Sequence, residues 1–191
     1  MAGGRPPFVQ SVKQEHPDKR VEVWLQDEMR FGQQGTMTTV WAETGSRPTV
    51  VRQTQYEWCY VFGAVNPRTG NSSALVAPSV NTELMNEHLK FIAQDAGADA
   101  HVVLVLDQAG WHKSKALKVP ADMTLLHLPP YSPELNAVEK LWGFVRSHHT
   151  SNRVYRDYDH LFESASEVCR QVGEDRIRSV CRTTWIERME L

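Results

Sequence analysis

The sequence predicts an α/β domain, a mixed β-sheet with helices on both faces, and three stretches carry that reading. Val21 to Asp27 alternates apolar and polar residues as a half-buried strand does. Tyr56 to Ala77 holds two β-rich arms around a turn. His101 to Leu106 is an unbroken apolar run between helical stretches, as in a strand buried on both faces in the parallel part of a sheet. At 191 residues the chain suits one domain able to bury a real core. Its 41% hydrophobic and 23% charged residues are ordinary for a soluble globular protein.

In chain order, residues 1–20 are polar, carry Pro6, Pro7 and Pro17, and read as a loose lead-in. In the strand that follows, Val21, Val23, Leu25 and Asp27 share one face, so Asp27 lies on the apolar parity at the strand's end and Glu28 on the opposite one. Residues 29–36 read as a turn, and 38–45 and 47–51 as short β or extended pieces. Tyr56 to Val65 is a strand, Asn66 to Gly70 a turn, and Ser73 to Ala77 the returning arm of a hairpin. Asn81 or Thr82 can cap a helix with Leu84, Met85, Leu89, Ile92 and Ala93 on one face, ended by Gly97. After the run 101–106, closed by Asp107, come a short helix around 112–117 and a strand over 123–128. Pro129 and Pro130 then form a stiff corner, and Ser132 stands where it can cap a helix with Pro133 in its first turn. Leu135, Val138, Leu141, Trp142 and Val145 make that helix's buried stripe, bordered by Glu139. A further amphipathic helix runs through Leu161 to Val172, and a last one covers about 175–182.

The net charge of −2 gives no overall basic signature, so contact with nucleic acid would need a local patch. Cys59, Cys169 and Cys181 are scattered, without a C-x-x-C pair, which speaks against a disulfide framework or a zinc ribbon and for a reducing cytosol. No apolar leader and no 18-residue apolar run is present, so neither a classical export signal nor a membrane span is expected.

The chemistry gathers on three acids. Asp27 and Asp107 end strands that read as central, and ligands of open α/β sheets collect beyond the carboxyl ends of strands. Glu139 rides the helix after the last strand, and a carboxylate at the margin of a core needs a partner, either a basic side chain or a metal ion. Taken singly, an aspartate at a strand end is usually a turn former or cap, and a glutamate beside a helix stripe usually pairs with a neighbour such as Lys140 or Arg146. Taken together, three converging carboxylates would repel unless cations bound them. An all-oxygen set favours Mg²⁺, with Mn²⁺ as substitute, over zinc.

The segments LQDEMRFG, VLVLDQAGWHKSKAL and LPPYSPELNAVEKLW together resemble the catalytic core of DDE transposases of the mariner superfamily, in its bacterial insertion-sequence branch. The third motif is the most specific, and the three span about residues 20–150. The resemblance implies an RNase H-like fold over residues 21–191 and two Mg²⁺ ions held by Asp27, Asp107 and Glu139 as catalytic residues. It implies cleavage at element ends, joining of the 3′-hydroxyl to target DNA at a TA dinucleotide, a homodimer as the working form, and a cytoplasmic, nucleoid-associated location without membrane attachment. Gln108 stands where the family usually has Asn, and Ala137 where it usually has Pro. Only residues 1–20 precede the first strand, so the helix-turn-helix region of the family is expected to be absent. His112, Lys113, Lys115 and Arg146 are candidate DNA contacts, with surface helix residues as the plainer reading, and His112, which resembles the histidine of the family's second motif, is also a candidate to orient a ligand. Trp111 is a candidate to stack on a base. Glu28 is a weaker alternative to Asp27 as ligand, and Glu134 suits the helix N-terminus. A catalytically decayed binding module on the same fold is the alternative to an enzyme.

Overall fold

The structure is a computed structural model that describes residues 7–34, 39–49 and 51–189. One five-stranded sheet runs in the order β3-β2-β1-β4-β5. Its strands are β1 Arg20–Gly32, β2 Trp58–Val65, β3 Ser72–Ala77, β4 Ala100–Leu106 and β5 Met123–His127. β1, β2 and β3 pair antiparallel, while β1, β4 and β5 pair parallel. β1 is therefore the middle strand and the seam between the two halves.

Strand parity sorts the core into two layers. Val23, Leu25, Met29 and Phe31 face one side with Val61, Val103 and Val105. Trp24, Phe62, Leu104 and Leu106 face the other. The second layer is covered by α2, Thr82–Ala96, capped by Asn81, whose side-chain oxygen accepts from the Leu84 N–H. Gly97 ends α2 at φ 91°, backbone that a side chain would strain. The first layer is covered by α1 Pro7–Glu15, α3 Val138–Val145, α4 Tyr158–Gln171, α5 Glu174–Val180 and α6 Thr184–Met189. The chain leaves α3 through a π-helical turn, Arg146–Thr150.

Four differences from the sequence reading have local causes. The lead-in contains α1, because Val9 and Val12 recur at helical spacing and bury in the core, while Pro7 opens the helix and Pro17 lies past its end. β1 runs on through the expected turn to Gly32, since β2 continues to pair with it after β4 has stopped. The expected β pieces are not strands over 39–49 and 51–57, and the remainder of that stretch lies outside the described residues. Around residue 112 only a 3-10 turn forms, Gly110–His112. Among the described residues no helix is long and apolar enough to cross a membrane.

The corner before α3 also departs from the simple cap. Ser132 caps nothing; its hydroxyl donates to the Pro130 carbonyl, and Pro133–Leu135 is a 3-10 turn. Asn136 starts the helix instead. Its amide donates to the Gln26 carbonyl of β1 at 2.9 Å while its oxygen accepts from the Val138 N–H. This single buried side chain ties α3 to the middle strand. Asn136→Ala is expected to leave the Gln26 carbonyl without its partner and to lower unfolding stability by about 1–3 kcal/mol. Urea unfolding, with the midpoint shifted and the slope unchanged, checks this.

Candidate active site

Beyond the carboxyl ends of β4 and β5 lies a cavity of about 500 Å³. Asp27, Asp107 and Glu139 all line it, with Gln108, Lys113 and the Leu128–Pro133 corner. Each reaches it for a local reason. Asp27 continues the parity of Val23 and Leu25, and Asp107 that of Val103 and Val105, so both belong to the sheet face that α3 covers. Glu139 sits in the first turn of α3, directly after the residues that Asn136 pins to β1. The rigid proline corner and the Asn136 tie thus set where this carboxylate stands.

Asp27 carries the electrostatic strain. Burial, then the charges of Glu139 and Glu28, push its carboxyl from an ordinary 3.8 to about 7. The Glu28 backbone N–H and the Trp142 indole N–H, which donates to Asp27 Oδ2 at 3.0 Å, pull the other way and lose. Among the described residues Asp27 and Glu139 make no ion pair with a base. The sequence reading puts the costly burial on Glu139, at the margin of the helix stripe. In the fold Glu139 is exposed to the cavity, and the desolvated carboxylate is Asp27 instead.

The Trp142 clamp depends on a glycine. Gly63 of β2 pairs directly with Asp27, and a Cβ there would lie 2.4 Å from Cη2 of the Trp142 ring. The indole can cross the sheet face and reach the carboxylate only because position 63 has no side chain.

On the opposite parity, Glu28 belongs to a second network. His112 is fully buried, with Nδ1 2.7 Å from Asp107 Oδ1 and Nε2 3.0 Å from Glu28 Oε1. Both ring nitrogens thus face a carboxylate oxygen, an arrangement that favours the doubly protonated ring. Burial disfavours that charge, but the Glu28 hydrogen bond and the charges of Glu28 and Asp107 outweigh it and raise the pKa above its usual value. Glu28 Oε1 also accepts from Gln26 Nε2 at 2.9 Å and Trp111 Nε1 at 3.2 Å. The Ala109 N–H donates to Asp107 Oδ1 at 2.8 Å.

The candidate DNA contacts separate accordingly. His112, with both nitrogens engaged and no exposed surface, does not reach a phosphate. Trp111 gives its indole N–H to Glu28. Lys113 lines the cavity and reaches Gln108 Oε1 at 3.4 Å. Lys115 is exposed but does not line the cavity, and Arg146 lines a different one, with Arg30, Tyr56 and Trp58. Nothing local marks the roles of Gly63, Trp142 and Glu28. Asn136 has a local signal, a hydrogen-bonding side chain between a proline corner and an apolar stripe, and the motif resemblance offers His112 as a residue that orients a ligand.

The residues fit a hard divalent cation in kind: three oxygen donors on one cavity, one of them pushed up to about 7 by burial and by its acidic neighbours. Their spacing is open, since no three of the described His, Cys, Asp or Glu residues stand close enough to hold one ion together.

Comparison with known proteins gives three results. Residues 22–162 match the family described as DDE superfamily endonuclease. The uncharacterized protein y4pE/y4sA of Sinorhizobium fredii is 44% identical over 133 residues, covering 69% of this chain and 98% of that protein. An uncharacterized 39 kDa protein of insertion element IS630 from Shigella sonnei is 27% identical over 163 residues, covering 80% of this chain and 46% of that one. Among solved structures, the Mos1 mariner paired end complex with Mn superposes with a TM-score of 0.65 at 12% identity. That match covers 96% of this chain and 57% of the Mos1 chain. The Mos1 strand transfer complex matches at 0.59 and 12% identity, over 96% and 55%. At such identity the likeness is one of fold, and the sheet with its flanking helices is RNase H-like. The chain spans about half the length of the IS630 and Mos1 proteins.

Proposed function

This chain belongs to the DDE superfamily endonucleases, and on that premise we propose that it is the catalytic core of a transposase that cuts element ends and joins them to target DNA. The observation that carries the reading is the shared cavity of Asp27, Asp107 and Glu139, with Asp27 pushed to about 7 and, among the described residues, without a basic partner. The Mos1 paired end complex with Mn and the Mos1 strand transfer complex support it by analogy of fold.

Asp27, Asp107 and Glu139 would hold two Mg²⁺ or Mn²⁺ ions. Such ions lower the pKa of a bound water and offset negative charge on the attacking and leaving oxygens of a phosphodiester. The protein's own share is positioning. The Trp142 indole fixes one oxygen of Asp27, the Pro129–Pro130 corner and Asn136 fix Glu139, and Lys113 places a positive charge on the cavity wall. Water attacks the phosphorus, the bond to the 3′-oxygen breaks, and the leaving oxygen takes up a proton. The freed 3′-hydroxyl then attacks a target phosphodiester, by resemblance at a TA dinucleotide, giving up its proton as the target's own 3′-oxygen–phosphorus bond breaks and that oxygen leaves as a hydroxyl. Two copies acting together on two ends belong to the same proposal.

A second reading, a fold that binds DNA without turnover, is favoured by the open spacing of the carboxylates. Incubating the chain with a duplex bearing an element end and with a pre-cut 3′-hydroxyl end separates the two. Nicking and joined product in Mg²⁺ or Mn²⁺, lost in EDTA, are expected. DNA retention without product in either metal, and no heat of Mn²⁺ binding, would leave the binding module standing.

A further inference from the structure

We infer that Glu28 and His112 are positioning residues for Asp107, a buried brace that fixes the orientation of this carboxylate in the cavity. The inference rests on the proposed role of Asp107. Asp107 stands at the free end of β4 with its side chain 56% exposed. Alone, it would rotate among several rotamers. The brace removes that freedom from one side. His112 and the Ala109 N–H both donate to the same oxygen, Oδ1. His112 is itself held from behind by Glu28, whose Oε1 gathers donors from β1 and from the turn after β4. With Oδ1 taken by two donors, Oδ2 is the atom of Asp107 available to whatever enters the cavity.

The arrangement has the logic of an outer shell around a ligand, in which a hydrogen-bonded imidazole and carboxylate orient a coordinating group and tune its charge. It also divides the labour between neighbouring acids. Asp27 projects towards α3, while Glu28, one residue on, turns to the α2 face and reaches Asp107 through the imidazole. Backbone pleat alone sets that division.

The test compares Mn²⁺ affinity by isothermal titration for the full chain and two variants. Glu28→Gln keeps an oxygen for the ring N–H and is expected to bind within about threefold of the parent. Combining it with His112→Phe removes the brace without leaving a buried unpaired charge. That double variant is expected to bind Mn²⁺ weaker by on the order of ten- to a hundredfold. Its thermal midpoint should be close to that of Glu28→Gln alone, and its cleavage rate should recover as Mn²⁺ is raised. Equal affinity in parent and double variant, or a cleavage loss that saturating Mn²⁺ does not restore, would overturn the brace. A parent chain that takes up no Mn²⁺ would instead sink the proposed function beneath it. Should the double variant fail to fold, His112→Gln, too short of donors to bridge both carboxylates, is read by the same criteria.

Discussion

Asp27→Asn is expected to abolish metal-dependent strand cleavage, by on the order of a thousandfold, the equivalent of about 4 kcal/mol of barrier. The same substitution is expected to stabilise the metal-free fold above neutral pH. Both outcomes come from one cause. Burial, with the charges of Glu139 and Glu28, raises the Asp27 carboxyl from 3.8 to about 7. A group raised in the folded state favours folding while it is protonated. That contribution is complete below about pH 4, the unfolded value, and drains away as pH rises towards 7. Over that interval the loss amounts to roughly 4 kcal/mol at about 1.4 kcal/mol per pH unit. Asparagine is neutral throughout, so urea unfolding at pH 5 and pH 8.5 should show a fall for the parent that the variant lacks. Divalent cation should restore the parent at pH 8.5 and do little for the variant. A parallel pH dependence in both proteins, or nicking retained by the variant in Mn²⁺, would refute the assignment.

How far residues alone could have led here depends on which interactions are local. The periodicities of 21–27 and 101–106 are local, and with the motif resemblance they placed both aspartates on central strands and named the fold. The parity of Asp27 against Glu28 followed from the same pleat. What was not legible depends on partners distant in sequence. Glu28 and His112 lie far apart in the chain, and only the parallel pairing of β1 with β4 brings them together. The surface-helix reading of His112 therefore fails, since the residue is among the most buried polar ones, while its reading as a group that orients a ligand stands as a proposal. The extension of β1 past Asp27 is equally remote in cause, because a glycine-bearing stretch that reads as a turn is held extended by β2. The helix in the lead-in has a different cause: Val9 and Val12 stand at helical spacing within a stretch whose prolines read as loop.

Gly63→Ala is expected to be the most damaging conservative change in the sheet. Alanine normally gains over glycine in a strand by roughly 0.5–1 kcal/mol, since it has less backbone freedom to lose. Here its Cβ would lie 2.4 Å from Trp142 Cη2 and 2.8 Å from Cζ2, deep inside van der Waals contact with a flat ring that cannot bend away. The clash reverses the sign, and overpacking of this kind costs about 1–3 kcal/mol. It also forces the indole off Asp27, so cleavage should fall with stability. Trp142→Phe separates the two losses. Phenylalanine lacks the outer ring atoms that meet position 63, and it lacks the N–H that holds Asp27 Oδ2. Alone, it should leave a void over Gly63 and destabilise by a comparable amount. In the double variant the new methyl fills that void, so the two costs should fall short of additive by about 1 kcal/mol or more. Activity should stay as low as in Trp142→Phe, because the space is restored and the donor is not. Additive stability losses would mean that ring and glycine do not share that space, and recovery of cleavage in the double variant would mean that the indole N–H does not orient Asp27.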